Sequence, residues 1–363
     1  MGFKCGLVGL PNAGKSTVFN AITNLGVEAS AYPFCTIEPH FGIVPLEDER
    51  LDRIYNIIGS RKKTPTVLEF VDIAGLVEGA NKGEGLGNQF LSHIASVDAI
   101  AHVVRCFEDP NVSHPYKTLD PVRDAKIVTM ELILKDIEIV ERQITKHRTA
   151  AKSGNPKSKK TLAILETLLQ HLSSGKELRI METNEEEKNI IHQLNLITAK
   201  PVIYIANVDE AHFKQSSLVK SLSDYANSID SFCIPFCGKA QAEIAELEEK
   251  DQIEFLRAMG LEETGLQKLV KAGYNVLNLI TFFTANENEA HAWTIPKGTQ
   301  VQKAGGKVHT DFEKKFIKAE VIKTKDLIEH GSVKALHDLG LVAVHGKDYI
   351  VEDGDLIFFR INK

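Results

Sequence analysis

The chain has 363 residues, with 43 basic and 49 acidic side chains and a formal net charge of −6. Its 43% hydrophobic and 25% charged content is that of a globular protein, and its length exceeds what one core organises, so two or three domains are expected. The acidic balance excludes nucleic-acid binding by bulk charge, so any such contact needs a local basic face.

Five cysteines without a CxxC pair argue against a disulfide framework or a zinc site. Met1-Gly2-Phe3-Lys4 runs straight into an apolar stretch, which leaves no leader. No apolar run approaches the roughly 18 residues of a spanning helix. A cytoplasmic protein without membrane contact is expected.

Cys5-Gly6-Leu7-Val8 reads as a buried strand, and Thr17-Val18-Phe19-Asn20-Ala21-Ile22 as the first turns of a helix. Between them lies Gly9-Leu10-Pro11-Asn12-Ala13-Gly14-Lys15-Ser16-Thr17. Gly-x4-Gly-Lys-Ser between strand and helix is a phosphate-binding loop. Its backbone N–H groups turn inward as an anion nest, and the helix N-terminus adds its positive end. Asn12, Ala13, Gly14, Lys15, Ser16 and Thr17 are expected around the phosphates. Lys15 would reach the β- and γ-phosphates, and Ser16 would place its hydroxyl on Mg²⁺.

Two prolines make Ala31–Pro39 a loop or edge. Thr36 within it is either a second Mg²⁺ ligand, in a segment ordered by the γ-phosphate, or an ordinary loop threonine. His40–Pro45 and Thr66–Asp72 read as strands. The second ends in Asp72-Ile73-Ala74-Gly75, a Walker-B arrangement in which Asp72 would hold Mg²⁺ through water and the Gly75 N–H would meet the γ-phosphate. Leu76–Gly87 carries four glycines and predicts a loop ordered by nucleotide state. A helix start at Asn88–Ile94 and a strand at Asp98–Cys106 complete an alternation that means a parallel α/β sheet. The loop Phe107–Pro115 follows at the edge where such sheets bind ligands, so His114 either reaches the phosphates or faces solvent.

From Pro121 to Thr198 the pattern changes. Met130, Ile133, Ile137, Val140 and Ile144 step by three and four; Lys152–Lys160 breaks the run; Leu162, Leu165, Leu169 and Leu172 resume it. This predicts an inserted antiparallel helical hairpin. Arg148, Lys152, Lys157, Lys159 and Lys160 around its tip either meet phosphate backbones or are simply solvated.

Lys200–Glu210 returns to strand and ends in Asn207-Val208-Asp209-Glu210, where a GTPase carries Asn-Lys-x-Asp. The lysine position holds Val208, and the carboxylate position holds the longer Glu210. Adenine has no N1–H or 2-amino donor for a guanine-matched carboxylate, and such hydrogen-bond matches dominate selectivity. The tetrapeptide therefore points to ATP. Phe232–Lys239 would form the other wall of the base pocket, with helices at Ile253–Leu261 and Gly265–Leu279 beyond it.

The C-terminal segment reads as a hairpin, Ile280–Thr284 and Glu289–Ile295 about Asn286-Glu287-Asn288. It closes with two strands about an Asp-Gly turn within Asp348–Ile361. His291, His309, His330, His337 and His345 are scattered and read as surface or core residues.

Taken in order, the loop Gly9–Ser16, Thr36, Asp72-Ile73-Ala74-Gly75-Leu76 and Asn207-Val208-Asp209-Glu210 make the chain resemble the YchF/Obg-like ATPase family of translation-factor-related P-loop proteins, over essentially its full length. The resemblance implies a Ras-like α/β P-loop NTPase domain at 1–121 and 199–279, a helical coiled-coil insertion at 122–198, and an α+β TGS domain of β-grasp type at 280–363. It implies a Mg²⁺-dependent ATPase switch that associates with the ribosome, with the large subunit and RNA as contacts, acting as a monomer. Leu76 stands where Ras-like proteins carry the water-positioning glutamine, and His114 matches the family's loop histidine that takes over that task. Asn12 matches a K⁺ ligand of potassium-stimulated relatives. Cys237-Gly238-Lys239 departs from the Ser-Ala pair of many GTPases. The rival readings are an Obg-type GTPase and a nucleotide-gated ribosome or RNA adaptor with incidental hydrolysis.

Overall fold

The computed structural model describes residues 2–23, 41–73, 94–116, 118–152, 155–209, 216–245, 247, 251, 252, 254, 256 and 263–362. Thr36, Gly75, Leu76 and Glu210 lie outside the described residues.

The first third runs β1 (Lys4–Val8), α1 (Lys15–Thr23), β2 (Phe41–Pro45), α2 (Glu49–Ile58), β3 (Lys62–Thr64), β4 (Val67–Asp72) and β5 (Ala99–Arg105). Two long helices follow, α3 (Pro121–Lys152) and α4 (Pro156–Ser173), then a short α5 (Glu185–Gln193). The α/β pattern resumes with β6 (Val202–Asn207), α6 (Ser217–Ser228), β7 (Phe232–Phe236), α7 (Gly238–Ala245) and α8 (Gly265–Val276). The last part holds β8 (Leu279–Ala285), β9 (Glu289–Pro296), α9 (Val301–Val308), α10 (Thr310–Lys314), β10 (Phe316–Lys323), α11 (Thr324–His330), α12 (Val333–Asp338), β11 (Ala343–His345) and β12 (Asp355–Ile361).

Among the described residues the strands form two six-stranded sheets. The first has the order β2-β4-β1-β5-β6-β7, with β2 antiparallel to β4 at one edge and the remaining neighbours parallel. Strands buried on both faces need unbroken apolar runs, and β5 and β6 are buried at every position. One face packs Ile100, Val104 and Tyr204 beneath Ala125, Val128 and Leu132 of α3 and Leu222 of α6. The other packs Leu7, Phe70 and Ile205 beneath Val18 and Ile22 of α1 and Leu269 of α8. Pro235 sits in β7, an edge strand, where its missing N–H breaks no ladder.

Helices α3 and α4 form the expected hairpin. Asn155 caps α4 by accepting from the Ser158 N–H at 3.2 Å, with Pro156 in the first turn. Ile133, Val140 and Ile144 close against Leu165, Leu168 and Leu172. Two seam positions differ from the reading: Met130 is 45% exposed, and Leu168 is fully buried while Leu169 is only partly so. An α-helix drifts about 20° per heptad from a strict 3.5 repeat, which displaces such end positions. The returning chain is fixed to α3 by the buried carboxylate of Asp136. It accepts from the N–H groups of Ile197 and Thr198 at 2.7 and 2.8 Å and from the Thr198 hydroxyl at 2.7 Å.

The second sheet has the order β11-β10-β12-β8-β9-β3. The β8–β9 hairpin forms as expected, and Asn286 Oδ1 accepts from the N–H groups of Asn288 and Glu289 at 2.7 and 3.0 Å to close its turn. The expected strand pair at Asp348–Ile361 is instead the single strand β12, preceded by an isolated bridge from Ile350 to Gln300.

The sixth strand of this sheet comes from the N-terminal part. β3 pairs in parallel with β9, and α2 buries Leu51 and Ile54 against Phe283, Ala292, Ile322 and Leu356. Helix α2 starts at Asp48, which accepts from the Arg50 N–H, and ends at Gly59, whose φ of 71° suits glycine. Residues 49–64, assigned by sequence to the nucleotide-binding unit, thus complete the C-terminal sheet.

Candidate nucleotide site

The loop between β1 and α1 is defined by three close approaches. A Cβ at Gly9 would lie 2.3 Å from the Val103 carbonyl oxygen. Gly14 has φ +90°, and a Cβ there would lie 2.0 Å from Asn207 Nδ2. Asn207 donates to the Ala13 carbonyl at 3.0 Å from a buried position at the end of β6. Its side chain therefore holds the phosphate loop in shape.

Lys15 folds over the loop and donates to the Gly9 and Leu10 carbonyls at 2.9 and 3.0 Å. Burial lowers its pKa, and the negative charge of Asp72 opposes that shift. Ser16 and Thr17 are exposed on the open side of the first turn of α1. Asp72 ends β4 in register with Leu7, and its Oδ1 is buried without a hydrogen-bond partner. A carboxylate oxygen unsatisfied among the described residues and an exposed serine hydroxyl next to the loop lysine are hard-oxygen donors of the kind that suits Mg²⁺.

Val208 does not reach the base side. It is 3% exposed, packs in the core, and its N–H donates to the Phe236 carbonyl at 3.0 Å. Of the two residues expected at the base, Asn207 thus also tethers the loop and Val208 packs in the core. Gly238 lies against α1, where a Cβ would come within 2.8 Å of Thr17 Cγ2. This explains the glycine where many GTPases have alanine.

The loop after β5 comes to the phosphate loop. Asn12, at φ 60°, donates from Nδ2 to the carbonyl and hydroxyl oxygens of Ser113, both at 3.1 Å. Arg105, buried at the end of β5, was read from the sequence only as a strand residue. It donates to the carbonyls of Phe107, Asp109 and Val112 at 3.1, 3.1 and 2.9 Å and stacks on Phe107. Its donors are spent on backbone, so it shapes the loop and offers no arginine finger.

His114 is half-enclosed beside this loop. Its Nε2 lies 2.8 Å from Asp124 Oδ2, and its Nδ1 accepts from the Tyr116 N–H at 3.1 Å. Asp124 stands on the first turn of α3 and also accepts from Arg123 at 2.8 Å on Oδ1. Arg123 in turn lies over the Tyr116 ring. A void of about 10 Å³, room for about one water, separates His114 and Asp124 from Leu10, Pro11 and Ala13. The structure thus brings together Asn12, Lys15 and His114 around the phosphate loop, with Asp72 near Lys15.

Two family models match the chain. The YchF-GTPase_C model, described as "Protein of unknown function (DUF933)", covers residues 279–362, and "50S ribosome-binding GTPase" covers residues 4–143. The chain is 47% identical to "Ribosome-binding ATPase YchF" of Escherichia coli O157:H7 and 45% identical to that of Bacillus subtilis, over all of both chains in each case. It superposes on "Structure of the Schizosaccharomyces pombe YchF GTPase" with a TM-score of 0.87 at 36% identity, covering 99% of this chain and 97% of the other. With a phosphate loop built as above and relatives this similar across their whole length, the chain belongs to the YchF family.

Proposed function

We propose that this chain is an ATP-hydrolysing switch that acts at the ribosome. The observation that carries the choice of nucleotide is the end of β6. Asn207 is turned to the loop and Val208 is buried, so the lysine stem that covers guanine in GTPases has no counterpart. Adenine asks for neither that stem nor a carboxylate matched to N1–H and the 2-amino group. The relatives named ribosome-binding ATPases agree with this reading. The fission-yeast relative is titled a GTPase, so GTP is the second reading.

In the proposed mechanism Lys15 exchanges two loop carbonyls for β- and γ-phosphate oxygens. Ser16, Asp72 and Thr36 would hold Mg²⁺, Asp72 through water. When bound, Mg²⁺ offsets charge on the phosphate oxygens. The Gly75 N–H is assigned to the γ-phosphate and Glu210 to the base. His114 orients the attacking water, because Leu76 has no group to do so. Among the described residues Asn12 bonds through Nδ2, and its side-chain oxygen is the proposed K⁺ ligand. With Arg105 committed to backbone, basal turnover is slow.

For the ribosome, the proposed contact is the hairpin tip, with Arg148, Lys152, Lys157, Lys159 and Lys160 toward RNA of the large subunit. The protein is proposed as a monomer in the cytoplasm; separately, no helix of the described residues is long and apolar enough to cross a membrane. Calorimetry on the full chain with Mg²⁺ tests the nucleotide choice: tighter ATP than GTP binding is expected, and tighter GTP binding overturns it.

A further inference from the structure

In this structure the histidine proposed to orient water has no nitrogen to give. Nε2 donates to the Asp124 carboxylate at 2.8 Å, and Nδ1 is held by the Tyr116 backbone, 3.0 Å from its carbonyl oxygen and 3.1 Å from its N–H. A ring fixed at both ends can neither accept from nor donate to an attacking water.

The partner that fixes it is well held. The Asp124 side chain is only 5% exposed. Its other oxygen takes the Arg123 Nε and Nη2 groups at 3.1 and 2.8 Å, and Arg123 Nη2 is itself anchored to the Thr118 carbonyl at 2.7 Å. The Asp124 N–H donates to the Asp120 carbonyl at 3.0 Å as α3 begins. Beside this pair lies the small void against Leu10, Pro11 and Ala13, so the ring stands next to the phosphate loop yet is turned to the helix.

We propose that Asp124 is a positioning residue that restrains His114, and that breaking this contact is required before His114 can serve the hydrolytic water. The inference rests on the assignment of His114 to water orientation. Asp124 is proposed to act through the histidine. Its charge and its two oxygens make it selective. An amide has one acceptor for two donors, Arg123 and His114, and its NH₂ group would face whichever donor it fails to serve. The replacement Asp124→Asn therefore keeps the shape and loses the restraint.

The test is steady-state ATP hydrolysis by the full chain with Mg²⁺, comparing wild type, Asp124→Asn, His114→Ala and the double variant. Asp124→Ser, smaller and still polar, stands in if the amide variant does not fold. The expected result is a several-fold rise in kcat at unchanged KM for ATP in Asp124→Asn, with the rise abolished in the double variant. A structural loosening alone would lower kcat or raise KM and would not depend on His114. If Asp124→Asn falls to the level of His114→Ala, Asp124 orients the histidine for chemistry and the restraint is refuted. If kcat does not change while His114→Ala is inactive, the contact is idle and the restraint is likewise refuted, with the role of His114 intact. If His114→Ala alone keeps the full rate, the assignment of His114 itself is wrong.

Discussion

Asn207→Ala separates a loop-holding residue from a base-binding one. Asn207 is 5% exposed and, among the described residues, its amide makes one hydrogen bond, to the Ala13 carbonyl at 3.0 Å, inside the phosphate loop. The backbone bond from the Cys106 N–H to the Asn207 carbonyl at 2.8 Å does not involve the side chain and survives. Removing one partner of a buried hydrogen bond costs about 1–3 kcal/mol, and at 1.4 kcal/mol per decade that is roughly a 5- to 150-fold loss of affinity if the loop must be re-formed on binding. The assay is calorimetry of the full chain with ATP, GTP and inorganic tripolyphosphate. All three should weaken by the same factor, because each is held by the loop and only two carry a base. Unchanged tripolyphosphate binding, or a shift in the ATP-to-GTP ratio, would refute the reasoning and return Asn207 to the base.

Three further outcomes are expected. Ile54→Ala, at a fully buried position of α2 against the C-terminal sheet, should cost about 2–5 kcal/mol. It should lower the denaturation midpoint followed by fluorescence of Trp293, the chain's single tryptophan, which sits in β9 stacked on His291; an unmoved tryptophan transition counts against the excursion of 49–64 into that sheet. His102 is buried in β5, and burial holds its pKa down to about 3 from 6.5. The unfolded chain then binds the extra proton between those values, so stability is full above pH 6.5 and falls as pH drops toward 3, by about 2 kcal/mol between pH 7 and 5. Urea unfolding of His102→Gln should show a shallower pH slope than wild type over that range, and equal slopes would remove His102 as the cause. Asn12→Ala should abolish stimulation of hydrolysis by K⁺ over Na⁺, and full retention of that stimulation removes Asn12 as the cation ligand.

What the sequence made legible is what chemistry forces to be local. A phosphate nest needs its glycines, lysine and hydroxyl at fixed offsets between one strand and one helix, so Gly9–Ser16 declares itself. Strands buried on both faces need unbroken apolar runs, so β1, β4, β5 and β6 could be read off in order. The rest depends on partners far along the chain. Leu51 and Ile54 mark an amphipathic helix, but nothing near them says that the facing sheet begins at Leu279. Ser60 meets the Asn286 carbonyl at 2.6 Å across 226 positions. Asn207 is short and polar at a strand end and serves a base or a loop equally well; the missing Cβ at Gly14 decides between them. Arg105 binds only carbonyls, and backbone acceptors leave no residue-type signature.

Two excursions leave the first sheet: residues 46–66 leave after Pro45, which pairs with Val67 at the end of β4 away from Asp72, and the helical hairpin leaves beside the phosphate loop. Strand β2 follows directly on the segment that contains Thr36 and leads into α2 and β3, which are fixed to the C-terminal sheet. Arg50 pairs with Asp353 at 2.6 Å, β3 pairs with β9, and the Thr66 hydroxyl meets that of Thr294 at 2.8 Å, where Tyr274 of α8 also bonds. The helical hairpin departs just after His114, and its first turn carries the Asp124 that holds that histidine. An insertion placed elsewhere on the sheet would leave the phosphate loop indifferent to it. Here the root of the hairpin holds His114 beside the phosphate loop, so a shift of that root needs no intermediary to reach the site.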